Sequence, residues 1–126
     1  MSCPFCPDNW HNLDIIWESS GGNAILVPLN PVVEGHVLVI GRKHTIDASV
    51  DPDIASDLMF SAALWVKSRK IQANIITNIG PDATQTVFHT HLHVVPRQLN
   101  DDLPLPWTPQ QMERERWRRA LEELRL

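Results

Sequence analysis

Asp51 and Pro52 open a stretch in which Ile54, Leu58, Ala62, Trp65 and Val66 recur at helical spacing. The Asp side chain accepts from orphan N–H groups, and Pro at the first helical position loses no hydrogen bond. A helix of about five turns with one apolar face is the expectation. Short apolar runs flank it on both sides. Leu13 to Trp17 and Asn23 to Leu29 are separated by Ser19-Ser20-Gly21-Gly22, a hairpin pattern. His36 to Ile40 follows Pro31-Val32-Val33-Glu34-Gly35 and is closed by Gly41. After the helix come Ala73 to Thr77 and then Val87 to Val95, which Pro96 ends. Strands grouped around one long helix predict an α+β fold with an antiparallel sheet of about five strands. Thr108-Pro109-Gln110-Gln111 has the form of a capping box and predicts an additional C-terminal helix. Trp117, Ala120, Leu121 and Leu124 would share its apolar face and cap the core.

At 126 residues the chain fits one domain with a real core. A net charge of −4 argues against a general nucleic-acid or anionic-membrane binder. No apolar run approaches the roughly 18 residues a membrane span needs. The start, Met1-Ser2-Cys3-Pro4, lacks the pattern of a signal peptide, so a cytoplasmic location is expected. The two cysteines, Cys3 and Cys6, stand in Cys-Pro-Phe-Cys. A disulfide across so short a loop stabilises little, and Pro7-Asp8-Asn9 reads as loop where a redox motif would need a helix. Paired metal ligands are the better reading, with two further ligands needed from the histidines.

Four features carry chemistry. In His89-Thr90-His91-Leu92-His93, alternate residues of a strand would line three imidazoles along one face, about 6.6 Å apart. Imidazole titrates near pH 6.5, so such a row suits nucleophilic or acid–base work, or a metal. Just upstream, Gly80 and Pro81 force a tight loop, after which Gln85 and Thr86 offer an amide and a hydroxyl suited to phosphate oxygens, or simply hold the loop. His36 leads a buried-looking strand and His44 follows it past a turn. The cysteine pair is the fourth feature.

Taken together, His89-Thr90-His91-Leu92-His93-Val94-Val95, Gln85-Thr86-Val87, Pro31-Val32-Val33-Glu34-Gly35-His36-Val37-Leu38-Val39 and His44 resemble the histidine triad (HIT) superfamily in order and spacing. The loop from Gly80 to Val87 is similar to the fragile-histidine-triad branch, and Cys3/Cys6 is similar to bacterial zinc-containing members close to the Hint branch. The resemblance implies a HIT domain over residues 1–103, with 104–126 as a C-terminal extension. It implies a homodimer joined through the long helix and its neighbouring strand, to which the C-terminal helix is the alternative contributor. It also implies hydrolysis or nucleotidyl transfer at the α-phosphate of nucleoside phosphoramidates, adenylates or dinucleoside polyphosphates.

By position, the resemblance makes His91 the nucleophile, with His93, His36 and Thr86 completing the catalytic group. Asn78, Gln85, Thr86 and His93 would bind the phosphate of a purine nucleotide, and Leu26 and Leu29 would flank its base. Cys3, Cys6, His44 and His89 would hold a structural zinc ion. With no lysine or arginine in the motif, protonated histidine and neutral donors are expected at the phosphate. Thr90 is a polar occupant of an apolar position. Pro28 stands where the family has a ribose-binding Asp or Asn, so poor discrimination between ribo- and deoxyribonucleotides is expected. Thr84 stands where the family has Gly. A nucleotide-binding sensor with weak turnover, and a hydrolase with zinc held by His89, His91 and His93, are the alternative functions.

Overall fold

The computed structural model describes residues 2–105 and 114–124. Its elements in chain order are β1 (Asp14–Glu18), β2 (Ala24–Val27), β3 (Val37–Ile40), α1 (Pro52–Arg69), β4 (Ala73–Ile76), β5 (His91–Pro96) and α2 (Arg114–Glu123). Short 3₁₀ turns cover Pro7–Asn12 and Pro81–Ala83. Among the described residues the strands form one antiparallel sheet in the order β1-β2-β3-β5-β4. The expected α+β fold, with five strands, one long helix and a C-terminal helix, is present. The expected capping box lies outside the described residues.

Strand alternation gives the sheet two different faces. Ile25, Val37, Val39, Leu92 and Val94 point to one side and bury Leu58 and Ala62 of α1. Asp51 caps that helix through Oδ1, which accepts from the N–H of Asp53 at 3.1 Å and of Ile54 at 3.4 Å. Ala24, Leu26, Leu38 and Ile40 point to the other side, where Phe5 and Trp10 of the N-terminal segment cover them. Register decides which side receives the imidazoles. His91 lies opposite Ile40 and His93 opposite Leu38, so both rings belong to the face away from α1.

One expectation is corrected here. The fifth strand begins at His91, not at Val87. Residues 87–90 make other bonds before they can join the ladder. Gln85 Nε2 donates to the Val87 carbonyl at 3.1 Å, and the Thr90 N–H donates to the Thr45 carbonyl at 2.8 Å. The three imidazoles therefore do not share one strand face. Only His91 and His93 do. The same detour accounts for Thr90, whose buried hydroxyl lies 2.6 Å from that of Thr45. Leu121 of α2 and Leu124 just after it are exposed, which corrects the expectation that this helix caps the core.

Two loop positions shape the site. Gly35 has φ +89°, and a Cβ there would sit 3.2 Å from Pro96 Cγ, so the turn into β3 needs glycine. Thr84 holds φ 67° and ψ 23°, a left-handed conformation that a β-branched residue adopts only under strain. Thr84→Gly is accordingly expected to raise stability by about 1 kcal/mol, less the greater freedom of glycine in the unfolded chain. Urea denaturation of the two proteins measures it, and an unchanged or lower midpoint would show that the loop absorbs no strain at this residue.

Candidate active site and metal centre

Cys3, Cys6, His44 and His89 come together from three separate parts of the chain, with their ligand atoms all within 4.8 Å of one another. His44 Nδ1 is 3.3 Å from His89 Nδ1. The sulfur–nitrogen separations are 3.4 Å for Cys3–His89, 3.4 Å for Cys6–His44 and 3.6 Å for Cys6–His89. A tetrahedron with Zn–N near 2.05 Å and Zn–S near 2.3 Å has edges of about 3.3 Å between nitrogens and about 3.6 Å between nitrogen and sulfur. The donor set fits zinc in both chemistry and spacing. His89 is fully buried, and its Nε2–H donates to the Gly41 carbonyl at 3.0 Å, which leaves the Nδ1 lone pair aimed at the ligand cluster.

The turn of the chain after His89 reverses the use of the next histidine. His91 Nδ1–H donates to the His89 backbone carbonyl at 2.7 Å, because a carbonyl can only accept. The proton is thereby placed on Nδ1, and His91 Nε2 keeps a free lone pair. Phe5 meets the His91 ring edge-on at 5.2 Å between centroids. Trp10 Nε1–H holds the Phe5 carbonyl at 2.8 Å, which fixes that wedge.

A second chain of bonds fixes the remaining tautomers. The Val32 N–H donates to His36 Nδ1 at 3.0 Å, so His36 carries its proton on Nε2. His36 Nε2 lies 3.0 Å from His93 Nδ1 and donates to it. His93 is left with its own proton on Nε2, beside His91, whose ring centroid is 5.2 Å away. One imidazole of the pair thus presents a lone pair and the other an N–H.

These rings are neutral. Burial lowers His91, His36 and His89 below the ordinary imidazole value, and burial with the His91 and His36 neighbours pushes His93 down to about 4. Protonated histidine, expected from the sequence, is therefore not what the fold favours at neutral pH. The unfolded chain takes up protons near pH 6.5, while the folded chain resists until lower pH. Stability should hold above pH ~6.5 and fall progressively toward pH 4, where His93 titrates in the fold. Urea midpoints between pH 7.5 and 4 measure this; a flat profile would show that the rings are not held neutral.

The other expected residues are placed as follows. Gln85 is buried with its amide fully engaged by the loop: Oε1 accepts from the Gly80 N–H at 2.8 Å, and Nε2 donates to the Ile46 carbonyl at 2.7 Å besides Val87. The loop-holding role is what this geometry displays. Thr86 is exposed, and Asn78 is half-buried on a small cavity that His93 and His36 also line. Leu26 is buried and borders a larger cavity of about 780 Å³ together with Phe5, Leu38, Pro28 and Leu29, the last of them 96% exposed. Asn9, Asn12 and Asp14 supply polar groups to the same cavity. His89, turned toward the cysteines, does not converge with His91 and His93, so the triad does not form one metal site.

Sequence reasoning missed Phe5, the Val32 N–H and the Gly41 carbonyl. Phe5 left a signal, an aromatic residue between the two cysteines. The two backbone groups left none, since any residue type carries them.

The chain matches the HIT domain over residues 16–100. An uncharacterized HIT-like protein of Mycobacterium tuberculosis is 36% identical over 94 residues, covering 70% of this chain and 65% of that protein. An adenylylsulfatase of Arabidopsis thaliana is 28% identical over 95 residues, covering 71% of this chain and 47% of its own length. The structure of a zinc-bound histidine triad family protein from Mycobacterium smegmatis superposes with TM-score 0.66 at 33% identity, covering 98% of this chain and 96% of that one. Among the described residues, no helix is long and apolar enough to cross a membrane. The domain match, the identity to the mycobacterial protein and the paired imidazoles of β5 agree, and the chain belongs to the HIT domain family.

Proposed function

We propose that the protein is a nucleotide hydrolase or nucleotidyl transferase that works through a covalent nucleotidyl-His91 intermediate. The observation that carries this is the His91 Nδ1–H bond to the His89 carbonyl, which commits Nε2 as a lone pair. In the first step, His91 Nε2 bonds to the α-phosphorus and the bond to the leaving group breaks. The leaving atom keeps the electron pair and takes a proton from water, while neutral His93 donates its Nε2–H as a hydrogen bond to an α-phosphate oxygen. In the second step, water bonds to phosphorus, the P–Nε2 pair returns to His91, and the proton of the attacking water passes to solvent. His36, held by Val32, positions His93 throughout.

The 780 Å³ cavity beside Phe5 suits a purine nucleoside, with Leu26 and Leu29 on its walls, and in this reading Asn78 and Thr86 serve the phosphate. Pro28 brings no side-chain acceptor to the ribose. Zinc on Cys3, Cys6, His44 and His89 would act as a structural staple; two thiolates nearly neutralise it and four ligands close its coordination. A homodimer is part of the same reading, since Met59, Phe60 and Leu64 leave one stripe of α1 apolar and exposed, and β4 is a sheet edge. Incubation with adenosine 5′-phosphoramidate, quenched and read by intact mass, should give an adenylyl adduct that His91→Asn lacks. Turnover in which no adduct forms at any quench time, with His91→Asn as active as the native protein, would refute the covalent route.

A further inference from the structure

α1 packs chiefly on β3 and β5, which leaves Ile16 of β1 exposed and Val27 at the end of β2 half-buried on the helix side of the sheet. A cavity of about 650 Å³ opens there, on the face away from His91 and His93. The buried Val37 forms its base, and Trp65, Ile71 and Pro96 stand on its walls. One wall is held by the backbone. Pro31, Val33 and Gly35 border the cavity in the turn before β3, where the His36 N–H donates to the Val33 carbonyl at 3.2 Å. The Val32 N–H, on His36 Nδ1, fixes the same turn.

The mouth carries two charged groups. The Arg69 guanidinium lies over the Trp65 ring, 4.2 Å from its centroid. Stacking occupies the guanidinium face and leaves its N–H fork for an acceptor. Among the described residues no carboxylate lies within ion-pair distance of it. Lys67 and the capping Lys70 add positive charge at this end of α1. Glu34 borders the cavity as well, exposed and not paired with Arg69.

We propose that this cavity is a binding site for an apolar monocarboxylate, a compact hydrocarbon body carrying one carboxylate held by Arg69. The site stands on the other face of the sheet from the imidazole pair and does not depend on nucleotidyl transfer at His91.

Three observations support the assignment. The volume falls within the ~300–1,000 Å³ of small-molecule sites. Val27, Val33, Ile71, Pro31 and Pro96 give the body of the ligand apolar walls. Arg69 supplies the planar, charge-assisted pair of hydrogen bonds that a carboxylate accepts. Glu34 sets the limit of one negative charge, since a second anionic group would face its carboxylate unpaired.

The native protein, labelled with nitrogen-15, should be titrated with naphthalene-1-acetate and with its uncharged amide, naphthalene-1-acetamide. We expect the acid to saturate with Kd below about 1 mM. The amide should bind at least about tenfold more weakly, as befits lost hydrogen bonds between charged groups. Shifted backbone resonances should cluster at residues 31–37, 65–71 and 96–98. Arg69→Gln should weaken the acid by about tenfold, while Glu34→Gln should keep its affinity or raise it by up to about threefold. Both positions are exposed, and melting curves check that each variant folds. Shifts clustered instead at Phe5, Leu26 and Leu38 would assign the acid to the larger cavity and overturn the inference in the native protein, without any variant. Absence of saturation at about 5 mM acid, or equal affinity for acid and amide, would overturn it too. So would an Arg69→Gln affinity within about twofold of native, or a weaker one in Glu34→Gln.

Discussion

Turnover falls by about 10⁴-fold or more when His91 is replaced by Asn, with nucleotide affinity within a few-fold of native. That size is set by what a covalent nucleophile contributes: removing one from a comparable enzyme erases most of the rate enhancement, and 10⁴ corresponds to ~5.5 kcal/mol of barrier. The structure explains why binding should survive. His91 is buried against Phe5, and a planar amide of similar width keeps the wedge in place and can still donate to the His89 carbonyl. The large cavity is walled by other residues. Single-turnover kinetics and an equilibrium titration with adenosine monophosphate separate the two effects. Activity within tenfold of native would remove His91 from the nucleophile's role.

The second large effect is on stability. Stripping metal with a chelator, or replacing Cys3 by Ser, should lower the melting temperature by roughly 10 °C, the consequence of about 3 kcal/mol lost from a domain of this size. The cysteine segment is part of the lid of the apolar cluster on the imidazole face, to which the N-terminal stretch contributes the buried side chains of Phe5 and Trp10. Without a cation, two thiols and two imidazoles face one another with no bond strong enough to hold the first dozen residues down. Elemental analysis should find one zinc per chain, lost in Cys3→Ser and retained in His91→Asn. Zinc lost with His91 and kept without Cys3 would place the metal elsewhere.

The fold was legible because each element announces itself locally. Asp51-Pro52 starts α1, Gly-containing loops separate β1 from β2, and Pro96 ends β5. The cysteine–histidine cluster was legible for a similar reason, since side chains of one chemical kind stand at family-like positions. What the sequence concealed is the direction of His89. Period two along His89-Thr90-His91-Leu92-His93 describes a strand, and nothing in those residue types reveals that Thr45 and Gln85 hold residues 87–90 off the ladder. Imidazole charge was hidden too, because burial belongs to the folded molecule. The Arg97–Asp101 ion pair after β5 spans four residues and needed only a pairing test; Asn74, to which Arg97 also donates, is 23 positions away and could not be anticipated.

His89 has one further consequence. Its ring faces the cysteine–histidine cluster, while the group that orients His91 is its main-chain oxygen. A main-chain oxygen survives every substitution. The stapling half of this residue is therefore free to be rewritten by mutation, and the chemical half is not. A descendant that traded its cysteines and His89 for an apolar plug would shed its dependence on zinc supply and inherit the same nucleophile in the same tautomer. On the function proposed here, metal dependence and catalytic competence would be separately heritable.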